Sequence, residues 1–289
     1  MNRRNLLKFI LALTMMVSLS GWVHAQTASA LQNSYQQLQG KLKNNQFNEP
    51  IYLESAQTSN SISGNVYSIV NYPYSQVRTA LDTPAEWCEV LSLHLNVKYC
   101  RAVGNNKIEV YAGTKKPQPL KDAYHMEYNF KPVVNNSSYM QIVMDARKGP
   151  MGTSDYYMMM EAIPLENNQT FIHVKYSYHF GTMAKLATNL YLDTVGSGKE
   201  GFTIIGKNAD GKPKYVSGLR GAIERNTMRY YLAIEAYMGS LAQPPAQRQE
   251  YRLKNWFAAT ERYPQLYEIT QQQDLSMKRD ELKQTPPAN

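Results

Sequence analysis

The chain has 289 residues, enough for one large domain with an extension or for two small ones. Its formal charge is +8, from 31 Lys and Arg against 23 Asp and Glu, yet it holds no Lys/Arg run and no nucleic-acid motif, which excludes a nucleic-acid binder. With two cysteines, five histidines and no histidine pair at ligand spacing near the cysteines, it calls for no metal and no cofactor.

Residues 1–25 read "MNRRNLLKFILALTMMVSLSGWVHA". Arg3, Arg4 and Lys8 form a basic n-region, Phe9 to Leu19 an apolar core, and Val23-His24-Ala25 a small-x-small cleavage site. This is the pattern of a secretory signal peptide. The apolar run is shorter than the ~20 residues of a spanning helix. No cysteine follows it to carry a lipid. The mature chain, from about Gln26, is therefore expected in the periplasm or secreted, where disulfides persist. Losing Arg3, Arg4 and Lys8 and no acid lowers the charge from +8 to +5. That mild basic excess fits transient contact with an anionic membrane surface.

Residues 26–50 are polar, with Leu31, Tyr35, Leu38 and Leu42 at helical spacing, and read as a short helical lead-in. Residues 61–71, "SISGNVYSIVN", alternate and are β-branched, so they read as a strand. Pro73 starts a helix with Val77, Ala80 and Leu81 on one face. Asp82-Thr83-Pro84 breaks it, and Glu86, Trp87 and Val90 begin a second short helix. Cys88 and Cys100 lie in and after that helix, twelve positions apart. In an oxidising compartment they are expected to bond, stabilising the fold by roughly 3 kcal/mol. Two buried free thiols are the alternative.

Strands follow at 95–103, 107–113, 123–133, 137–147, 154–164 and 170–180, separated by Gly/Asn/Pro turns. Their regular pitch predicts an antiparallel meander. "TMAKLATNLYLDT" then puts Met183, Leu186, Ala187, Leu190 and Tyr191 on one helical face, a candidate lid at 182–194. A hairpin is expected over 201–216, around Ala209-Asp210-Gly211. The longest helix spans 217–241, with Ser217 as its cap. Leu219, Ile223, Tyr230, Ile234, Tyr237 and Leu241 form its apolar face, with Arg220, Glu224, Arg225 and Arg229 turned away. Residues 243–289 form a helical extension stopped once at Pro264, with the tail "QTPPAN" disordered.

Strand parity predicts the inner face of the sheet. It groups Tyr124, Met126 and Tyr128; Met140 and Met144; Met158 and Met160; and Tyr176 and Tyr178. With 22 Tyr and 14 Met in the chain, that face is polarisable and adaptable. Together with Tyr230, Ile234 and Tyr237 of the long helix, these are the candidate ligand-lining residues. Ordinary core packing is the competing reading for each. His125, His173 and His179 fall on the opposite, wet face. His94, between the cysteines, can point inward. Asp145 and Arg147 share a parity and can pair on the sheet surface. No Gly-x-Ser-x-Gly or His-Glu-x-x-His occurs, so no catalytic residue is named.

The stretch "VYSIVNYPYSQVRTALDTPAEW" at 66–87, and the late helix at 217–241 entered through "YVSGLRG", resemble the START-like, helix-grip superfamily. Its members include lipid-transfer domains, the birch-pollen-allergen type and polyketide cyclases. The resemblance covers about residues 50–242. It implies an α+β helix-grip fold: a curved antiparallel sheet wrapped around a long C-terminal helix, with a cavity between them. It implies a START-like domain at 51–242 and an exported carrier of an apolar or amphipathic ligand, a lipid above all. Two other readings stand beside it. One is a cyclase- or hydrolase-type enzyme on the same scaffold, which rests on fold analogy. The other is an interaction module whose sheet packs solidly and whose polar C-terminal extension docks a partner; Trp256, Phe257 and Tyr263 exposed on one side would favour it further. The hairpin at 201–216 and the extension after 242 have no counterpart in the family core.

Overall fold

The computed structural model describes residues 28–182 and 199–284. The expected signal peptide and the tail after Gln284 lie outside those residues, as does the expected lid helix beyond Thr182. Among the described residues, no helix is long and apolar enough to cross a membrane.

The fold is α+β. Helix α1 (28–43) comes first. Strands β1 (Ile51–Gln57) and β2 (Ser61–Val70) form a hairpin, and helices α2 (Tyr74–Ala80) and α3 (Pro84–Leu91) follow. Strands β3 (Val97–Val103), β4 (Lys107–Ala112), β5 (Tyr124–Asn135), β6 (Met140–Lys148), β7 (Thr153–Pro164) and β8 (Thr170–Phe180) then run as a meander. They form one eight-stranded curved sheet of order β1-β2-β8-β7-β6-β5-β4-β3. Every neighbouring pair in it is antiparallel. A two-stranded ribbon, β9 (Ile204–Lys207) and β10 (Pro213–Tyr215), precedes the long helix α4 (Gly218–Ser240). Helices α5 (Pro245–Glu261) and α6 (Gln271–Glu281) end the described chain.

Local chemistry sets the helix starts. Thr83 and Glu86 make a reciprocal capping box at α3, with Pro84 at its first turn. Thr270 and Gln273 do the same for α6. Ser217 stands at the start of α4 but its side chain makes no capping bond, contrary to the expectation. Cys88 in α3 and Cys100 in β3 form a disulfide, which ties the helices to the edge strand. The native protein is therefore expected to show no thiol to an alkylating reagent, and two after reduction. A reactive thiol before reduction would contradict the pairing.

The long helix lies closest to β1, β2 and β8 on the inner face, with α3 beside it and α5 behind it. Gly64 of β2 permits this approach. A Cβ there would sit 2.3 Å from the Thr227 hydroxyl oxygen and 3.4 Å from Ile223 Cγ1. Gly64→Ala is expected to cost about 1–3 kcal/mol by forcing helix and strand apart. Thr227→Ala in the same chain should restore part of that loss in urea unfolding. An unchanged midpoint for Gly64→Ala would show that the helix is not so tightly seated.

Helix α1 packs on the outer face of the sheet. Leu31 and Leu42 join Val134, Tyr139, Ile163 and Phe171 in a second core. A register shift between Pro132 and Val134 turns Val134 outward to meet it. The opposite face is thus covered, not wet, along part of β8. His173 is buried there, stacked on Tyr67 at 4.1 Å, which corrects its assignment to a solvated surface. Its ring nitrogens meet Glu161 at 2.8 Å and Asn65 at 2.9 Å. The neighbouring Phe171 and Ile163 were the signal that both parities are buried here.

The charged side chains of α4 are corrected too. Glu224, Arg225 and Arg229 are buried, because the chain around 199–203 and the C-terminal helices cover that side. Glu224 accepts from Ser55 at 2.5 Å, from the Phe202 amide at 2.6 Å and from the Thr203 hydroxyl at 2.7 Å.

Candidate functional site

Parity places most of the candidate residues together. Cross-strand pairs Met144↔Met158 and Ile142↔Met160 bring the methionines of β6 and β7 side by side, with Met140 opposite Ala162. Met126, Tyr128, Met140, Met144, Met158, Met160, Tyr176, Tyr230 and Ile234 are all buried in one apolar cluster, and Tyr178 packs against it half-buried. Within it Tyr176 meets Tyr230 edge-on, their ring centres 5.1 Å apart. Tyr156, which the pattern left out, stacks on Tyr178 at 5.2 Å and belongs to the same group. Burial raises the hydroxyl pKa of Tyr128, Tyr176 and Tyr230, so each stays a neutral donor.

Two candidates stand apart from that group, Tyr124 outside the buried cluster and Tyr237 at its far end. Tyr124 begins β5 and is 38% exposed. Tyr237 is buried but turns toward α5, where the Arg252 guanidinium lies 5.1 Å above its ring. The reason is axial: Tyr237 is seven positions beyond Tyr230, on the same helix face but about two turns, roughly 10 Å, further along. Asp145 stays on the outer face and pairs with Lys131 at 2.7 Å and Asn129 at 2.8 Å, in place of Arg147.

His94 points inward. It is 1% exposed and stacks on Tyr230 with ring centres 4.5 Å apart. Its Nδ1 accepts the Asn96 amide at 3.2 Å, so Nε2 carries the proton, and Nε2 meets no partner. Burial pushes its pKa well below the ordinary value, and Arg229, Lys278, Lys115 and Lys98 push the same way. The ring is therefore neutral.

The cations around it come from distant parts of the chain. Lys278 of α6 donates to the His94 and Val97 carbonyls at 2.7 and 2.9 Å. Lys98 donates to the Leu95 carbonyl at 3.0 Å. Glu281 pairs with Lys98 at 2.7 Å and with Lys278 at 2.9 Å. Glu268 faces three cations: Lys115 at 2.5 Å, Arg229 at 2.9 Å and Lys199 at 3.1 Å. Burial alone would raise the Glu268 carboxyl, but Lys115 and Arg229, then Lys199, hold it down at about 2. Burial and Arg229 lower Lys115 to about 8 against the pull of Glu268.

Trp256, Phe257 and Tyr263 are buried rather than exposed, which takes away one added support of the interaction-module reading. Beside Trp256 and Phe257 lies a void of about 10 Å³, lined also by Leu95, Leu266 and Asp274. It has room for about one water.

No protein-family model matches the chain, and no curated protein matches it in sequence. Among solved structures, truncated norcoclaurine synthase from Thalictrum flavum is similar with a TM-score of 0.35 and 12% identity, covering 49% of this chain and 91% of that one. Ara h 8.0201 gives a TM-score of 0.35 at 9% identity, over 66% of this chain and 99% of that one. A conserved protein from Geobacillus kaustophilus gives 0.32 at 12% identity, over 46% and 84%. At these identities and scores the likenesses say nothing of what this chain binds.

Proposed function

We propose that the protein binds an apolar or amphipathic molecule, a lipid above all, between its curved sheet and its long helix, and carries it in an aqueous exported compartment. One observation carries this reading. The long helix lies closest to β1, β2 and β8, while the Met- and Tyr-rich inner face continues across β5, β6 and β7. That half of the face is built from Met126, Tyr128, Met144 and Met158, side chains that repack at low cost. Tyrosine hydroxyls within it supply the few polar groups that orient a ligand in an apolar site. Transient docking at an anionic membrane surface, for loading and release, belongs to the same reading and rests on the basic excess of the chain.

The test is extraction. Protein purified without detergent should yield a long-chain molecule in near-stoichiometric amount by mass spectrometry, and emptied protein should take up a fluorescent lipid. An empty extract together with no uptake would end the carrier reading.

An enzyme on this scaffold is the second reading, favoured by the inward His94, whose Nε2 meets no partner. Asp145, on the outer face, gives it no support.

A further inference from the structure

The end of the interior that holds His94 carries an excess of positive charge. Lys98, Lys115, Lys199, Arg229 and Lys278 converge there on three carboxylates, Glu268, Glu281 and the buried Asp274, which leaves a net excess of cations. Two of these ammonium groups bond carbonyls of the very turn that carries His94. At the centre stand a buried Nε2–H and a buried Arg229 Nε without acceptors. An orphaned buried donor costs the full desolvation of its group. Two orphaned donors inside a net positive field mark a place for an acceptor with negative charge.

The surroundings also say what shape that acceptor has. On one side His94 stacks on Tyr230, which touches Tyr176 and so adjoins the Met- and Tyr-lined inner face. On the other, Lys115 and Lys199 are partly exposed, which links the charged end to solvent. A charged end that continues into an apolar one matches an amphiphile. We infer that His94, Arg229 and Lys115 receive the oxyanion headgroup of a long-chain ligand, a carboxylate or a phosphate monoester, with its tail along the inner face of the sheet. This rests on the carrier reading and narrows it from lipids in general to anionic single-headed ones. His94 donates from Nε2 as a neutral imidazole, and the surrounding cations supply the field.

The experiment compares cis-parinaric acid with its methyl ester, titrated into the purified, delipidated protein and read by fluorescence. The acid is expected to bind roughly tenfold tighter than the ester, and Lys115→Gln and His94→Phe each to cut that ratio below about threefold. Lys115 is partly exposed, so its variant decides the matter should His94→Phe not fold. Equal binding of acid and ester overturns the inference and leaves the carrier reading standing, as does an undiminished ratio in the variants. Displacement of the acid by millimolar acetate or inorganic phosphate overturns it as well, because the site would then take free oxyanions. Binding of neither probe overturns both.

Discussion

Glu281→Ala is expected to destabilise the protein by about 3–5 kcal/mol, the usual cost of leaving buried charge without its partner. Two cations depend on this one carboxylate. Lys98 and Lys278 have side chains 0% and 1% exposed, and both pair with Glu281. Their remaining bonds go to the carbonyls of His94, Leu95 and Val97, which are neutral acceptors. Without Glu281 the two ammonium groups stay in the interior with only Asp274, which burial pushes toward its neutral form, as nearby counter-charge, or α6 leaves β3 to hydrate them. Urea unfolding followed by circular dichroism measures the loss. A control separates charge from packing. Replacing Lys98, Lys278 and Glu281 together with Met, Met and Leu should be near neutral, since removing a whole buried ion cluster removes its desolvation cost too. A single variant as stable as the parent would show that α6 does not seal this end of the core.

That cluster also shows where sequence reasoning stops. The strands were legible because one face of each is apolar: 170–180 coincides with β8, and 154–164 is one residue short of β7. The Met and Tyr residues of the inner face follow from the same alternation. Strand β1, "IYLESAQ", went unread, because only Ile51 and Leu53 of its seven residues are fully buried. The outer core under α1 was missed because His173 and Tyr67 look like surface residues until a helix from residues 28–43 lies over them. The C-terminal helices were the least legible. Polarity marks 271–281 as solvated, yet Lys278 reaches a carbonyl 184 positions away. Hydrophobic periodicity carries no information about which charge will be buried beside which partner. For the same reason His94 could be named as inward-facing, but its ring of cations could not.

Asp274→Asn is expected to stabilise the protein by about 3 kcal/mol near pH 8 and to have no such effect near pH 4. Asp274 is buried in the first turns of α6, and neither carboxyl oxygen has a hydrogen-bond partner. Burial raises its pKa to about 6, with Glu281 adding to the rise and Lys278 and Lys98 opposing it. In the unfolded chain the same group ionises near 3.9. The folded state therefore holds its proton more tightly. Below about pH 4 the neutral acid sits in the core without penalty. Between about pH 4 and 6 the unfolded chain has lost its proton while the folded protein still holds it, so stability falls across that window and levels off once the folded group ionises too. A folded-state pKa of about 6 makes that difference about 3 kcal/mol at full extent, at 1.36 kcal/mol per unit. Asparagine keeps the shape and cannot ionise, so the variant should lose this dependence while Glu268, held down at about 2, leaves the same window undisturbed. Urea midpoints for parent and variant should be close at pH 4, diverge between about pH 4 and 6.5, and then stay a constant distance apart to pH 8. Parallel curves across that range would mean that Asp274 is ionised in the folded state throughout, with Lys278 or a water in the neighbouring void satisfying it.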